Sequence, residues 1–407
     1  MIVRLTDSSV KEPLQRYRSQ AEAELASVLD WWMQYIPDDE DGFHGEIDRY
    51  NKLKADAPRG LVLYSRILWT FSAAYIHTRN REYLFMAERA YRYLIKHFQD
   101  TVNGGMYWSV DRHGQKLIDR KQVYGIAFCI YGMSEYYQAT FNEQARDKAI
   151  ELFLLLEQHS RDKKEGGYFE AFAANWQLVP DVRLSEKDAN EKKTMNTHLH
   201  VLEAYTNLYR IWKNEVLAEA LHSLLVVFKK RIIDTATHHQ GLFFAENWEL
   251  RSSVISYGHD IEASWLLYEA SEMLGNPEVL HIYKDIVVKM AIAVLPAIDN
   301  DGGMWYESET RTGYWVKEKH WWPQAEAMVG FMNAYQLTGD KIYLKYSQRS
   351  WDFARQYICD KENGEWHWGV DEYGNMMEKE KAGFWKCPYH NGRACMEISK
   401  RISAILQ

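Results

Sequence analysis

Histidines open three stretches of this chain that lie far apart in sequence. They read MNTHLHVLEAY, with Asn196, His198 and His200, then SYGHDIEASW, with His259 and Glu262, then FWKCPYHNGRA, with His390. An imidazole has an unperturbed pKa near 6.5, which suits it to take or give a proton at neutral pH. Clustered imidazoles also build zinc centres, but HExxH and zinc-type Cys/His spacings are both missing, so no metal is expected. His198 and His200 are two residues apart, so on a helix they point in different directions and at most one faces a common axis. Glu262 follows His259 by one helical turn, a spacing at which a carboxylate can orient an imidazole and set its tautomer. Each group has a plainer reading. A single histidine in a buried helix is more often a satisfied core residue, and Glu262 can be a solvated or capping carboxylate. Three such openings in one chain favour use, because ionisable groups at the heart of a fold are costly otherwise.

Other outliers join them. Arg66 is the lone charge in the apolar run LVLYSRILWTFSAAYI, Tyr124 opens a second such run, and HWWPQAEAM carries Trp321, Trp322 and Glu326. Beside imidazoles, Arg66 reads as a clamp for an oxyanion or hydroxyl.

The elements that position these groups follow from a repeat. A glycine-aromatic element recurs as GFHGEID at Gly42, GGMYWSV at Gly104, GGYFEAF at Gly166, GLFFAEN at Gly241, GGMWYES at Gly302 and GEWHWGV at Gly364. The step is about 62 residues, except for one of about 75 that carries the loop from Asp181 to Lys193. Between copies lie two helical stretches, the first apolar on nearly all faces and the second amphipathic, with charges between apolar positions three and four apart. Short joints such as Thr78-Arg79-Asn80 make the two antiparallel neighbours. A helix over Lys11–Tyr35 and another from Asn391 to about Leu406 supply the outer and inner members of a sixth couplet. A couplet split between the termini argues for closure over an open solenoid, which would need polar capping repeats. The expectation is an all-α fold, an (α/α)6 barrel forming one catalytic domain over residues 1–407, with short β-hairpins at the active-site mouth. Asp111 and Gly114, and Asp371 and Gly374, read as hairpin turns. Asn196 reads as a possible helix cap and Pro323 as a first-turn residue. Distant in sequence, the polar outliers all start inner helices, so closure brings them to one mouth.

Composition narrows the class. The net charge is −8 with no basic block that would track phosphates, so nucleic acid is not an expected partner. The four cysteines form no CxxC pair, the N-terminal stretch MIVRLTDSSVKEPLQRYRSQ is polar, and no run of some 18 apolar residues exists. A cytoplasmic protein with no membrane partner is expected. Rossmann and P-loop fingerprints are missing, so no nucleotide cofactor is implied. The amphipathic outer helices leave no apolar stripe over, which makes a monomer the default.

The segments APRGLVLYSRILWTF, MNTHLHVLEAY, SYGHDIEASWLL, HWWPQAEAMVGF and GFWKCPYHNGRAC resemble the N-acylglucosamine 2-epimerase family, in particular its disaccharide-acting, cellobiose 2-epimerase branch, over nearly the whole chain. Members of that family have the (α/α)6 barrel. The resemblance implies epimerisation at C2 of a reducing-end glucose without a cofactor. It implies that His259 and His390 are the general acid/base pair and that His200 is a third essential histidine near the sugar oxygens. Arg66, Tyr124 and Asn196 then hold the reacting glucose, with Glu262 supporting His259. Trp322 and Trp385 pack around that glucose, Asp188 reaches the sugar from its loop, and Trp305 is assigned to stack on the second sugar. His200 and the long third loop favour the disaccharide branch over the N-acylglucosamine one. Three rival readings remain: an aldose–ketose isomerase on the same scaffold, an inverting glycoside hydrolase using Glu262 and Glu326, and a non-catalytic carbohydrate binder. The hydrolase needs its carboxylates roughly 6.5–9.5 Å apart across the site.

Overall fold

The alternation of apolar and amphipathic helices becomes two concentric layers. The computed structural model describes residues 10–407; the first nine residues of the polar N-terminal stretch lie outside the described residues. Twelve α-helices are present among the described residues. The inner layer is α2 (Leu61–Thr78), α4 (Val123–Thr140), α6 (Met195–Ile211), α8 (Tyr257–Leu274), α10 (Trp321–Thr338) and α12 (Tyr389–Leu406). The outer layer is α1 (Lys11–Tyr35), α3 (Arg81–Tyr93), α5 (Glu143–His159), α7 (Glu215–Val227), α9 (Pro277–Ala293) and α11 (Lys341–Phe353). Each inner helix packs on the next, and α12 returns to α2, which closes the ring. The terminal helices α1 and α12 pack together as the sixth couplet, so the split read from the sequence is the seam of the toroid.

Local chemistry sets the ends of these helices. Asn80, Asn142, Asn214, Asn276 and Asp340 cap α3, α5, α7, α9 and α11, each side chain accepting a first-turn backbone N–H. At four of the same joints, α2, α4, α8 and α10 stop at a left-handed residue immediately before the cap: Arg79, Phe141, Gly275 and Gly339. Inner helices are buried nearly all round; α2 is buried without a break from Leu61 to Ala74, Arg66 included.

Short strands rim the mouth where the inner helices begin. The hairpins at Asp111–Gly114 and Asp371–Gly374 form, with Asp111 N–H donating to Gln115 O and Asp371 N–H to Asn375 O. The strands do more than form hairpins. The residues just before an inner helix pair with the glycine-aromatic element that follows that couplet: Arg59 with Val110, Lys121 with Phe172, Lys193 with Phe244, Ser256 with Glu307 and Lys319 with Val370. A bridge from Ile47 to Ala382 spans the seam. These pairings stitch neighbouring repeats and fix where each inner helix starts.

A buried ion pair reinforces most of the stitches. Arg59 meets Asp38, Lys121 meets Asp100, Lys193 meets Asp162 (each 2.6 Å), and Lys319 and Lys381 meet Asp299 and Asp360 (each 2.7 Å). The fourth repeat departs: Ile255 holds the corresponding place before α8, and Asp234 caps its own turn at Ala236 and Thr237. Glycine is required where the turn runs close beneath a helix. Gly167 has φ +79°, and a Cβ there would lie 2.5 Å from Nε2 of His198.

Candidate active site

The first two turns of the inner helices carry His200, His259 and His390, with the Trp322 indole packed against two of them. The Trp322 ring centroid lies 4.7 Å from that of His259 and 5.7 Å from that of His390. His200 packs edge-on to Tyr124 at 5.0 Å and against Phe128 at 4.6 Å. His198 does not join them. Its Nδ1 bonds Thr194 O at 2.6 Å and its Nε2 accepts from Tyr168 N–H at 2.9 Å, so it ties the third glycine element to α6. One of the two histidines faces the axis, as their spacing requires.

Each imidazole is held at Nδ1 by a different partner. Glu203 takes that of His200 at 2.9 Å, Glu326 takes that of His390 at 2.7 Å, and Ser256 Oγ lies 2.8 Å from that of His259. An ionised carboxylate can only accept, so Nδ1 of His200 and His390 carries the hydrogen and Nε2 keeps its lone pair. Burial pushes His390 down to about 3. It does the same to His259, aided by the neighbouring His200 and His390, although part of the His259 ring still opens on the mouth. His200 is lowered by burial as well. All three are therefore neutral at pH 7, the form that accepts a proton.

The expected role of Glu262 needs correction. It does not orient His259; its Oε1 accepts from Arg393 Nη2 at 2.7 Å and lies 4.0 Å from His390 Nδ1. The side chain is drawn across the axis by a guanidinium, whose charge outcompetes a neutral imidazole on its own helix. Arg393 also donates to Glu326 at 2.6 Å and to Glu203. Burial and the charge of Glu326 push the Glu262 carboxyl well up. Glu262, Glu326 and His390 each offer a ligand atom within 4.8 Å of the others, but Arg393 already occupies the position a cation would need. The same geometry disfavours hydrolysis, since the two carboxylates sit together on one guanidinium and do not face each other across a sugar.

Arg66 adjoins His200 through Tyr124 and Phe128. Arg66 Nη2 donates to Tyr124 Oη at 2.8 Å and Nη1 to Trp385 O at 3.4 Å, with the guanidinium 4.1 Å above Phe128. Arg66 Nε and Asn196 Oδ1 are buried polar atoms without a protein partner. Asn196 is not the helix cap. Thr194 is, its side chain accepting from Thr197 N–H at 3.1 Å, which places Asn196 within the first turn of α6. The half-buried Trp385 packs on Trp108 at 5.9 Å and Tyr124 at 6.1 Å.

Trp305 and Asp188 each have protein partners of their own. Trp305 donates from its indole N–H to Asp299 at 3.2 Å and packs on Trp315 at 5.2 Å. Tyr306 is the ring on the site's side, 4.0 Å from His320 and 6.1 Å from Trp322, because consecutive residues of an extended segment face opposite ways. Asp188 uses Oδ2 to accept from Ser185 N–H and Oγ (2.9 and 3.0 Å), which folds its loop on itself near Tyr306 and Glu307. Sequence reasoning missed Glu203, Arg393 and Ser256, and read Glu326 only as a possible hydrolase acid. The signal for Glu203 was available, since it follows His200 by three as Glu262 follows His259.

A family model described as N-acylglucosamine 2-epimerase (GlcNAc 2-epimerase) matches residues 42–394. The chain belongs to the N-acylglucosamine 2-epimerase family. Within that family it is 45% identical to a cellobiose 2-epimerase of Bacteroides fragilis over 94% of this chain and 98% of that one. It is 38% identical to a cellobiose 2-epimerase of Dictyoglomus turgidum over 92% and 96%. The solved cellobiose 2-epimerase of Bacillus thermoamylovorans superposes with a TM-score of 0.92 at 39% identity, over 95% of this chain and all of that one. A D-mannose isomerase of Marinomonas mediterranea is more distant, at 24% identity over 94% of this chain and 97% of that one. Among the described residues no helix is long and apolar enough to cross a membrane.

Proposed function

We infer that the protein is a cellobiose 2-epimerase, a carbohydrate epimerase that interconverts glucose and mannose at the reducing end of a β-1,4-linked disaccharide, lactose included. The observation that carries this reading is Trp322 in contact with both His259 and His390, two neutral imidazoles at one mouth. The site acts on a small sugar. Working as a monomer in the cytoplasm completes the reading.

The C2 hydrogen of an aldose is acidic only while C1 is a carbonyl, so the ring opens first. His200 and His390 exchange protons with the ring oxygen and the C1 hydroxyl. One imidazole of the His259–His390 pair then takes the C2 proton at Nε2, leaving an enediolate. Arg66, with Tyr124 beside it, stabilises the developing charge on O1 and O2. The second imidazole, having taken a proton from the C1 hydroxyl or from water, delivers it to the other face of C2, and the first releases its own to the sugar oxygens or to water as the ring closes. Nδ1–H held by Glu326 leaves Nε2 of His390 as the nitrogen that takes and gives the proton. Asn196 Oδ1 accepts from a sugar hydroxyl, Trp322 and Trp385 bound the glucose ring, and Asp188 and Tyr306 lie toward the second sugar.

The test is incubation of cellobiose in deuterated water, followed by proton NMR. Deuterium at C2 together with a mannose-type reducing end is expected. A ketose product favours the isomerase, free glucose favours the hydrolase, and binding with no exchange at C2 ends the epimerase reading.

A further inference from the structure

Arg393 is where the carboxylates behind the histidines meet. It lies on α12, three residues after His390, buried between Trp265 and Tyr389 at 4.7 and 4.1 Å from their ring centroids. Nη1 donates to Glu203 and to Tyr389 Oη, and Nη2 donates to Glu326 and Glu262 at 2.6 and 2.7 Å. Glu203 holds His200 and Glu326 holds His390. One guanidinium thus backs two of the three imidazoles through carboxylates brought from α6 and α10. Resting on the epimerase reading, we propose that Arg393 is a positioning residue: it keeps Glu203 and Glu326 ionised together, and so holds both His200 and His390 in the Nδ1–H tautomer with Nε2 turned to the sugar.

The physical argument is about protons. Three carboxylates this close and this buried cannot all stay charged without a cation, since burial and mutual repulsion both favour the neutral acid. Glu262, which holds no histidine at hydrogen-bond distance, takes the proton; Glu203 and Glu326 are held below their usual range by Arg393 and their histidines against the cost of burial. The groups facing this cluster are Arg66 from α2, Tyr131 from α4, Glu203 from α6, Glu262 from α8, Glu326 from α10, and Tyr389 and His390 from α12. With the guanidinium gone, a proton moves onto Glu203 or Glu326. That carboxyl then donates where it accepted, and its imidazole loses the tautomer. Lysine is no substitute, because one ammonium cannot span acceptors on three helices.

The full-length protein with 15N-labelled histidine tests this by two-bond 1H–15N correlation spectra. Signals are assigned with His200→Asn and His390→Asn. The wild type is expected to show the Nδ1–H tautomer at both residues at pH 7. Arg393→Lys is expected to lose that signature at one or both, to cut kcat for C2 exchange about 100-fold, and to leave KM within about threefold. If Arg393→Lys does not fold, Glu203→Leu, which removes the acceptor, is expected to lose the His200 signature while His390 keeps its own. Nε2–H tautomers in the wild type overturn the proposal without any variant. So does a folded Arg393→Lys enzyme with unchanged spectra and kcat, which would make Arg393 a structural ion pair only. A wild type with the expected tautomers but no exchange on cellobiose would instead overturn the epimerase reading.

Discussion

Glu326 Oε1 lies 2.7 Å from Nδ1 of His390. The two residues are 64 apart in sequence and come from neighbouring inner helices, so this contact exists only because consecutive couplets pack side by side. It fixes which nitrogen of His390 can accept a proton, and it turns a candidate hydrolytic acid into the support of a base. Glu326→Gln keeps a hydrogen-bond acceptor but removes the charge. The expected loss is about 1.5–3 kcal/mol of transition-state stabilisation, roughly 10- to 100-fold in kcat, with KM little changed. Steady-state kinetics on cellobiose measures it, and a wild-type kcat would remove Glu326 from the mechanism.

His259→Ala and His390→Ala should each lower kcat by about 10²–10⁴-fold. Deuterium incorporation at C2 should fall in step with product formation, since both need the proton removed. If either variant exchanges C2 hydrogen at the wild-type rate, that residue is not one of the two bases.

Acid should weaken the fold through the same imidazoles. His259 and His390 are pushed down to about 3 when folded, against an ordinary value near 6.5. The unfolded chain therefore binds more protons between those limits, and stability rises with pH there. The contribution is fully present above about pH 6.5 and is lost as pH falls toward 3. Melting temperatures between pH 4 and 8 should be higher at the upper end, and the His259→Asn, His390→Asn double variant should show a flatter slope. An equal slope in both proteins would contradict this assignment.

The buried pair of Lys193 and Asp162 joins the loop before α6 to the end of the preceding outer helix. Lys193→Met leaves Asp162 buried with its charge uncompensated, at an expected cost of about 3–5 kcal/mol. Urea denaturation followed by circular dichroism reads this directly. The double change Lys193→Met, Asp162→Leu should recover most of the loss, because the unpaired charge is then gone.

Tyr306 and Trp305 should separate cleanly. Tyr306→Ala removes a ring beside Trp322 and should raise KM for cellobiose by about 10-fold, a stacking contribution near 1–1.5 kcal/mol. Trp305→Ala removes a packing contact with Trp315 and a bond to Asp299, so its effect should fall on stability. The reverse pattern would return the second-sugar role to Trp305.

The helix boundaries were largely legible because they are local. The predicted Lys11–Tyr35 helix coincides with α1, and the predicted apolar and amphipathic couplets coincide with the two layers. Caps and periodicity act over a few residues, so one chain segment contains the information. The starts of the inner helices were legible for the same reason, and with them the clustering of His200, His259, His390, Arg66, Tyr124 and Trp322. Asn196 was misread as a cap because Thr194 and Asn196 are both good capping residues, and only the backbone, extended at Thr194, decides between them.

From its sequence alone this chain declares six helical couplets, a closed ring and a mouth lined with imidazoles, since all three follow from periods of a few residues repeated every sixty or so. Only the tertiary structure decided which partner each imidazole keeps. Glu262 leaves His259 for Arg393, Ser256 takes its place, and Glu326 reaches His390 from another helix. Spacing on one helix sets who can meet, but in a buried site the strongest donor in reach decides who does, and that donor arrived from 131 residues away.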